Sequence, residues 1–383
     1  MAKSAPPPPE TLVAPPEASV HLVGHDAAEA TFLRAFASGR MPHAWLITGP
    51  RGIGKATLAF RMARFLLAHG MAAPALESAG AGLFGDEPEP APDQTPRDLD
   101  IAVDHPIFNR VKELSHSDLR VLRRSVNEKT GKLRSEIVID DVRAAIDFLH
   151  LMPAESAWRV LVVDAADDLN RNAANALLKI LEEPRPRSVL ILVSHAPGRL
   201  LPTIRSRCRR LALEPLSTPA LQTELRRHCP DLGGADLDLV LALAEGSLGR
   251  AITFGRDQAA RDLFQSMAQL LGGWPDFDPT VLHRLGDKLA GKGGEENFET
   301  AVTLLDWWLA RFVRRAAAKD RPFAEVFPGE SGLIDRLAGA ASLDRWLQSW
   351  EKIGRLFARV ASANLDRKQA WVTAWLVLAA TRG

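Results

Sequence analysis

The strongest constraint on this chain is one short run: Gly49-Pro-Arg-Gly-Ile-Gly54-Lys55 fits the spacing G-x-x-x-x-G-K. It stands between an apolar stretch, His43 to Thr48, and a helical period from Lys55 to His69. A strand that ends in a glycine-rich turn and restarts as a helix gathers loop N–H groups around a single point. The helix N-terminus adds partial positive charge there and Lys55 adds a full one, so the turn is shaped for a phosphate. Gly49, Gly52, Gly54 and Lys55 are therefore the first nucleotide-binding candidates. The competing reading, a turn rich in glycine for packing alone, is weakened by the strand before it and the helix after it. Leu58, Met62, Phe65 and Leu66 share one face of that helix, and Gly70 is placed to end it.

The position after the lysine usually offers Mg²⁺ a hydroxyl, and here it is Ala56. Thr57 follows and is kept among the nucleotide-binding candidates, although a helix turns ~100° per residue and Thr57 cannot simply replace a hydroxyl at 56. Val160-Leu-Val-Val-Asp164 reads as a second buried strand ending in an acid suited to a water-bridged metal. The glutamate that commonly follows such an acid is Ala165, then Ala166. Asp167 lies three residues past the strand-end acid and is expected to point elsewhere. Nucleotide binding, as ATP or ADP, is expected to be weak, magnesium placement is in doubt, and hydrolysis is not expected.

The rest of the first two-thirds alternates strands and helices, which implies a parallel sheet covered on both faces. Ala27 to Ala37 is a short helix. Leu119 to Arg123 and Glu136 to Ile139 are expected as strands, with Asp140 capping a helix that carries Val142, Ile146 and Leu149. Asn170 caps a helix with Ala174, Leu177, Leu178 and Leu181 before Pro184, and Ser188 to Ser194 is a further strand, with another at Leu211 to Leu213. Residues 1–20 read as a proline-rich disordered tail and 72–95 as a disordered acidic, proline-rich insertion. Past Leu213 only helices are expected, starting at Thr218-Pro219. Seven of the nine tryptophans fall there, at 274, 307, 308, 346, 350, 371 and 375, and are assigned to a helical core and not to an aromatic ligand box.

Composition sets the outer limits. A length of 383 residues implies two or three domains. With 48 basic and 47 acidic residues the net charge is +1, so any polyanion must meet a local patch. No stretch approaches the ~20 apolar residues of a membrane helix, and the N-terminus lacks a secretory apolar core. Two cysteines, Cys208 and Cys229, make neither a disulfide framework nor a four-thiolate zinc site, which points to a reducing cytoplasm.

Three stretches carry a family resemblance: Gly39-Arg-Met-Pro-His-Ala-Trp-Leu-Ile-Thr-Gly49, Asn172-Ala-Ala-Asn-Ala-Leu-Leu-Lys-Ile-Leu-Glu-Glu-Pro184, and Leu201-Pro-Thr-Ile-Arg-Ser-Arg-Cys208. Over residues 20–255 the chain resembles the AAA+ clamp-loader subunits of bacterial DNA polymerase III, the delta-prime group most. The resemblance implies an α/β plus all-α architecture: an AAA+ P-loop parallel-sheet domain at 21–213, a small helical lid at 214–255, and a C-terminal helical collar at 256–383. It also implies that Arg207 is an arginine finger acting in trans on a neighbouring gamma or tau ATPase, and that Ser194 and Arg250 are the two nucleotide sensors. The implied partners are gamma, tau and delta subunits, with the sliding clamp and primed DNA met through the assembly. The four-cysteine zinc module of gamma and tau is missing. A guanidinium suits a transferring phosphoryl group, although Arg205, Arg207, Arg209 and Arg210 also fit a solvated basic run. Cys208, His43 and His195 are expected to be structural. The alternatives are a gamma-like ATPase motor and an unrelated P-loop kinase.

Overall fold

A computed structural model of the chain describes residues 14–69, 96, 98–127, 131, 133–291, 293–318, 323–363 and 365–381. The expected insertion at 72–95, the cap at Gly70 and the first 13 residues of the expected tail lie outside the described residues. The chain divides into two compact units, Met1–Glu224 with Gly246–Gly249, and Leu225–Glu245 with Arg250–Gly383.

The first unit is built on five parallel strands, β1 (Ala44–Thr48), β2 (Leu119–Leu122), β3 (Arg159–Asp164), β4 (Ser188–Ser194) and β5 (Arg209–Ala212), in the order β2-β3-β4-β1-β5. Strand alternation sorts the core into two layers. Trp45, Ile47, Val160, Val162, Val189, Ile191 and Val193 join one cluster with Phe32 of α1 (Asp26–Ala37) and the apolar side of α2 (Lys55–His69). Ala44, Leu46, Leu161, Val163, Leu190 and Leu192 join the other, with α4 (Ile139–His150) and α5 (Arg171–Glu182); α3 (Pro106–Lys112) lies between α2 and β2 in the chain. The fully buried apolar side chains of these layers are worth roughly 1.5–3 kcal/mol each.

Several expectations are corrected. Residues 136–139 form no strand. Ile137 makes a lone parallel bridge to Leu169, and Ile139 already belongs to α4. The β-branched run looked extended, but Asp140 and Asp141 in the first turn favour a helix N-terminus. Asp140 is not the cap, since Val138 holds that position without a side-chain bond, and Asp141 instead accepts from Ser125 Oγ at 2.9 Å. Asn170 does cap α5, accepting from Ala173 N at 2.9 Å. Strand β5 starts two residues earlier than expected, with Leu213 N still reaching Thr48 O at 2.8 Å.

The described part of the expected tail is also ordered. Pro15 to Val20 lies along α2, where Arg64 donates to Glu17 O (3.0 Å) and Ser19 O (2.7 Å), and Arg61 donates to Val20 O. This explains why α2 is buried nearly all round, Arg61 and Arg64 included, where the sequence showed a single apolar stripe.

A short helix α6 (Pro202–Arg207) precedes β5, and from α7 (Thr218–His228) onward the described elements are helices: α8 (Gly234–Ala244), α9 (Leu248–Arg256), α10 (Gln258–Gly272), α11 (Pro279–Ala290), α12 (Gly294–Ala317), α13 (Glu330–Ala340), α14 (Leu343–Ala363) and α15 (Arg367–Ala380). The tryptophans form the core of the second unit, as expected. Trp308, Trp371 and Trp375 are fully buried, and the Trp274, Trp308, Trp346 and Trp350 indoles donate to Leu378 O, Glu330, Leu337 O and Asp306. No helix among the described residues is long and apolar enough to cross a membrane.

Candidate nucleotide site

The turn between β1 and α2 holds three glycines at positive φ: Gly49 at +145°, Gly52 at +75° and Gly54 at +99°. A Cβ at Gly49 would stand 2.5 Å from Leu213 O, and one at Gly54 2.6 Å from a Leu22 methyl, so glycine is demanded here by shape as well as by φ. Two flanking segments lock the loop. His25 Nε2 lies 2.6 Å from Ile53 O, and Gly249 N donates to Gly52 O at 3.0 Å. The turn thus meets the geometric requirement for a phosphate at a helix N-terminus. Lys55 is 3% exposed, its ammonium donates to Pro50 O, and burial pulls its pKa down to about 8 against the opposing pull of Asp167 and Asp164. Ala56 offers no hydroxyl, and Thr57 is only partly buried on the first turn of α2.

Asp164 ends β3, where burial raises its pKa and Arg123 opposes the rise. The Arg123 guanidinium lies 3.5 Å from Asp164 and grips both oxygens of the Glu17 carboxylate at 3.2 and 2.9 Å. Burial works to lower the Arg123 pKa, but the two carboxylates carry it above its usual value. Glu17 moves the other way: burial would raise its pKa, and Arg123 brings it below normal. Ala165 and Ala166 are buried and carry no base.

Asp167, expected to point elsewhere, is close enough to Lys55 to oppose the fall of its pKa, and its carboxylate has a structural task. Its carboxylate accepts from Ser194 Oγ (2.9 Å), His195 N (2.5 Å) and Ala196 N (3.1 Å), tying the end of β4 to the turn after β3. Ser194 is fully buried in that bond. His195 has a pKa lowered to about 4, by burial first and then by Lys55 and Arg51, and its buried Nδ1 has no hydrogen-bond partner among the described residues. His43 Nε2 lies 3.1 Å from Leu181 O. Cys208 is an inert thiol, pushed up to about 12 by burial.

Arg207 closes α6, where it meets Glu182, at the end of α5, at 2.8 Å and Thr203 O at 3.1 Å. Arg250 lies in the second unit and pairs with Glu245 at 3.6 Å. The structure brings Gly49, Gly52, Gly54, Lys55, Asp164 and Ser194 to the C-terminal ends of β1, β3 and β4, with Arg207 apart at the end of α6. Sequence reasoning missed Arg123 and Glu17. The signal for Arg123 was available only through the sheet, because the β2–β3 register pairs Leu122 with Val163 and so sets the next residue beside Asp164.

A glycine-locked phosphate turn after β1, an acid at the end of β3 and a buried serine at the end of β4, the strand between them, define a P-loop domain on a parallel sheet. Residues 105–217 match the family model described as "DNA polymerase III, delta subunit". Over 206 residues the chain is 38% identical to the DNA polymerase III subunit delta' of Pseudomonas aeruginosa, covering 54% of this chain and 53% of that one. It is 29% identical over 272 residues to the subunit gamma/tau of Mycobacterium tuberculosis, covering 71% of this chain and 40% of that protein. A gamma subunit-related protein of Thermotoga maritima superposes with a TM-score of 0.41 at 17% identity, over 92% of this chain and 98% of that one. The chain is thus similar to subunits of bacterial DNA polymerase III, with its higher identity to a delta' subunit. It spans about half the length, or less, of these curated relatives.

Proposed function

We propose that this chain is a largely non-hydrolysing clamp-loader subunit that supplies Arg207 in trans to the ATP site of a gamma or tau neighbour. Loading of the sliding clamp onto primed DNA is then a property of the cytoplasmic assembly that also includes delta. In this reading 214–255 is the lid, 256–383 the oligomerising collar, and Ser194 and Arg250 are sensors. The cleft holds ATP or ADP weakly through Gly49, Gly52, Gly54 and Lys55, with Thr57 beside them.

The observation that carries the reading is the setting of Arg207. It sits at a helix end in a single ion pair with a half-exposed glutamate, so releasing it costs little, while Arg205 and Arg209 of the same basic run have no carboxylate partner among the described residues. When released, it presents a permanent charge and a planar fork of donors to a phosphoryl group.

The test is ATP hydrolysis by a reconstituted complex in the presence of clamp and primed DNA. Arg207→Ala is expected to leave assembly intact and to lower the rate well beyond the effect of Arg209→Ala. An arginine finger contributes ~10³–10⁵ in a single-site GTPase, and a ring with several ATP sites should show less. Equal small losses in both variants would refute the role. The gamma-like alternative requires ATP turnover by the isolated chain that Lys55→Ala abolishes.

A further inference from the structure

Chains with this phosphate turn ordinarily place a divalent ion between a hydroxyl after the lysine and the acid ending the neighbouring strand. The residues here do not fit that ion. Ala56 has no hydroxyl, and Asp164 already has a cation within 3.5 Å. We infer that Arg123 is the built-in counter-ion of this cleft: it takes the charge of Asp164 that a metal would otherwise answer, and the Pro15–Val20 segment holds it there. The inference deepens the nucleotide reading above, and only its nucleotide arm rests on that reading.

Three observations converge on Arg123. First, its position is fixed from both sides. The strand register sets it next to Asp164, its guanidinium lies 5.4 Å from the centre of the Phe60 ring, and both of its terminal nitrogens are held by Glu17, a carboxylate only 8% exposed. Second, Glu17 is itself anchored, because Arg64 binds the carbonyls of Glu17 and Ser19. Arg123 is thus a fixed member of the site and not a mobile surface chain.

Third, the charges around the cleft balance without a metal. The carboxylates facing it are Glu17, Asp164, Asp167 and Asp168. The cations are Lys55, Arg123, Arg51 and Arg124, the last paired with Asp168 at 3.4 Å. Mg²⁺ gives up its water reluctantly and usually binds through one or two carboxylates together with phosphate oxygens. Asp167 is consumed by Ser194 and two amides, and Asp164 by Arg123, so the cleft has no uncommitted carboxylate to offer it.

The test uses the full chain and two probes. In the first arm, Mn²⁺ alone is titrated and its free signal followed by electron paramagnetic resonance. Wild type is expected to take up no ion at Asp164. Arg123→Met keeps a stem over Phe60 but removes the charge, and it is expected to gain a Mn²⁺ site that a further Asp164→Asn abolishes. Mn²⁺ binding by wild type that Asp164→Asn removes would overturn the inference, as would a folded Arg123→Met with no gain. Should Arg123→Met fail to fold, the wild-type comparison with Asp164→Asn decides alone.

In the second arm, ADP is titrated calorimetrically in Mg²⁺ and in a chelator. The wild-type affinity is expected to differ by less than about twofold between the two, and a tenfold or larger gain in Mg²⁺ would count against Arg123 as the resident cation. Absence of ADP binding under both conditions would sink the nucleotide reading, and the Mn²⁺ arm would then decide the question of Arg123.

Discussion

Lys55 carries a positive charge into a site only 3% exposed, and its pKa falls from the ordinary 10.5 to about 8. Between those values the unfolded chain binds more protons than the folded one, so stability rises with pH across that window. Below about pH 8 the buried charge costs on the order of 3 kcal/mol, from 1.36 kcal/mol per pKa unit. Lys55→Met should therefore raise the urea midpoint at pH 7, and the gain should shrink as pH climbs from 8 to 10.5. A gain independent of pH would show that the ammonium is not the cause. His195 shows the same logic in acid: with a pKa lowered to about 4, it binds fewer protons folded than unfolded between 4 and 6.5, so stability is lost as pH falls through that range. His195→Gln should flatten this part of the acid-unfolding curve. A unique imidazole proton resonance that titrates near 6.5 in the folded chain would contradict the assignment.

At the scale of elements, the phosphate turn was legible because a G-x-x-x-x-G-K run between an apolar strand and an amphipathic helix has few other physical solutions. The Pro15–Val20 segment was not legible. Proline density predicts disorder from composition, but its order comes from Arg61 and Arg64 of α2, whose partners are backbone carbonyls and so leave no mark on the segment's own sequence. Removal of residues 1–13 should leave the melting temperature near that of the intact chain, whereas removal of 1–20 strands Arg64, 2% exposed, without the Glu17 and Ser19 carbonyls, while Arg61 loses Val20 O and keeps Glu29 and Asp100. The second truncation should cost several kcal/mol, since one stranded buried charge costs about 3–5 kcal/mol. Equal melting temperatures for the two truncations would mean that the segment is not held.

Asp118 plays a similar part between β2 and β3. It is fully buried and accepts from the amides of Ala154, Glu155 and Ser156 at 2.7, 2.8 and 2.9 Å, with Arg159 at 3.7 Å. Burial would raise its pKa, but the amides and Arg159 bring it below the ordinary aspartate value. Its contribution is present above the unfolded pKa and is lost as pH falls through the folded one. Asp118→Ala should cost about 3–5 kcal/mol at pH 7, the range for breaking a buried pair, and less in acid. Chemical denaturation at pH 7 and pH 3 measures the difference.

At the scale of the whole molecule, the helical second half was legible from spacing, and its tryptophans from the bulk they supply to a core. The network around Glu330 was not. This glutamate is fully buried, and it accepts from Trp308 Nε1 (3.1 Å), Arg311 Nε (3.0 Å) and Val326 N (2.8 Å), three donors that no periodicity brings together. The role proposed for Arg207 lies beyond the single chain altogether, because the charge it would serve belongs to a neighbour. Its only carboxylate partner among the described residues is Glu182, in a pair whose side chains are 35% and 49% exposed. Such a pair is worth ~0–1 kcal/mol, so breaking it should change the reach of Arg207 by no more than about fivefold. Glu182→Ala in the reconstituted loader should consequently alter ATP hydrolysis by less than fivefold, far less than Arg207→Ala does. If Glu182→Ala matches Arg207→Ala, the ion pair itself is the functional feature, acting to hold α5 and α6 together, and the guanidinium has no separate task at the neighbour's phosphate.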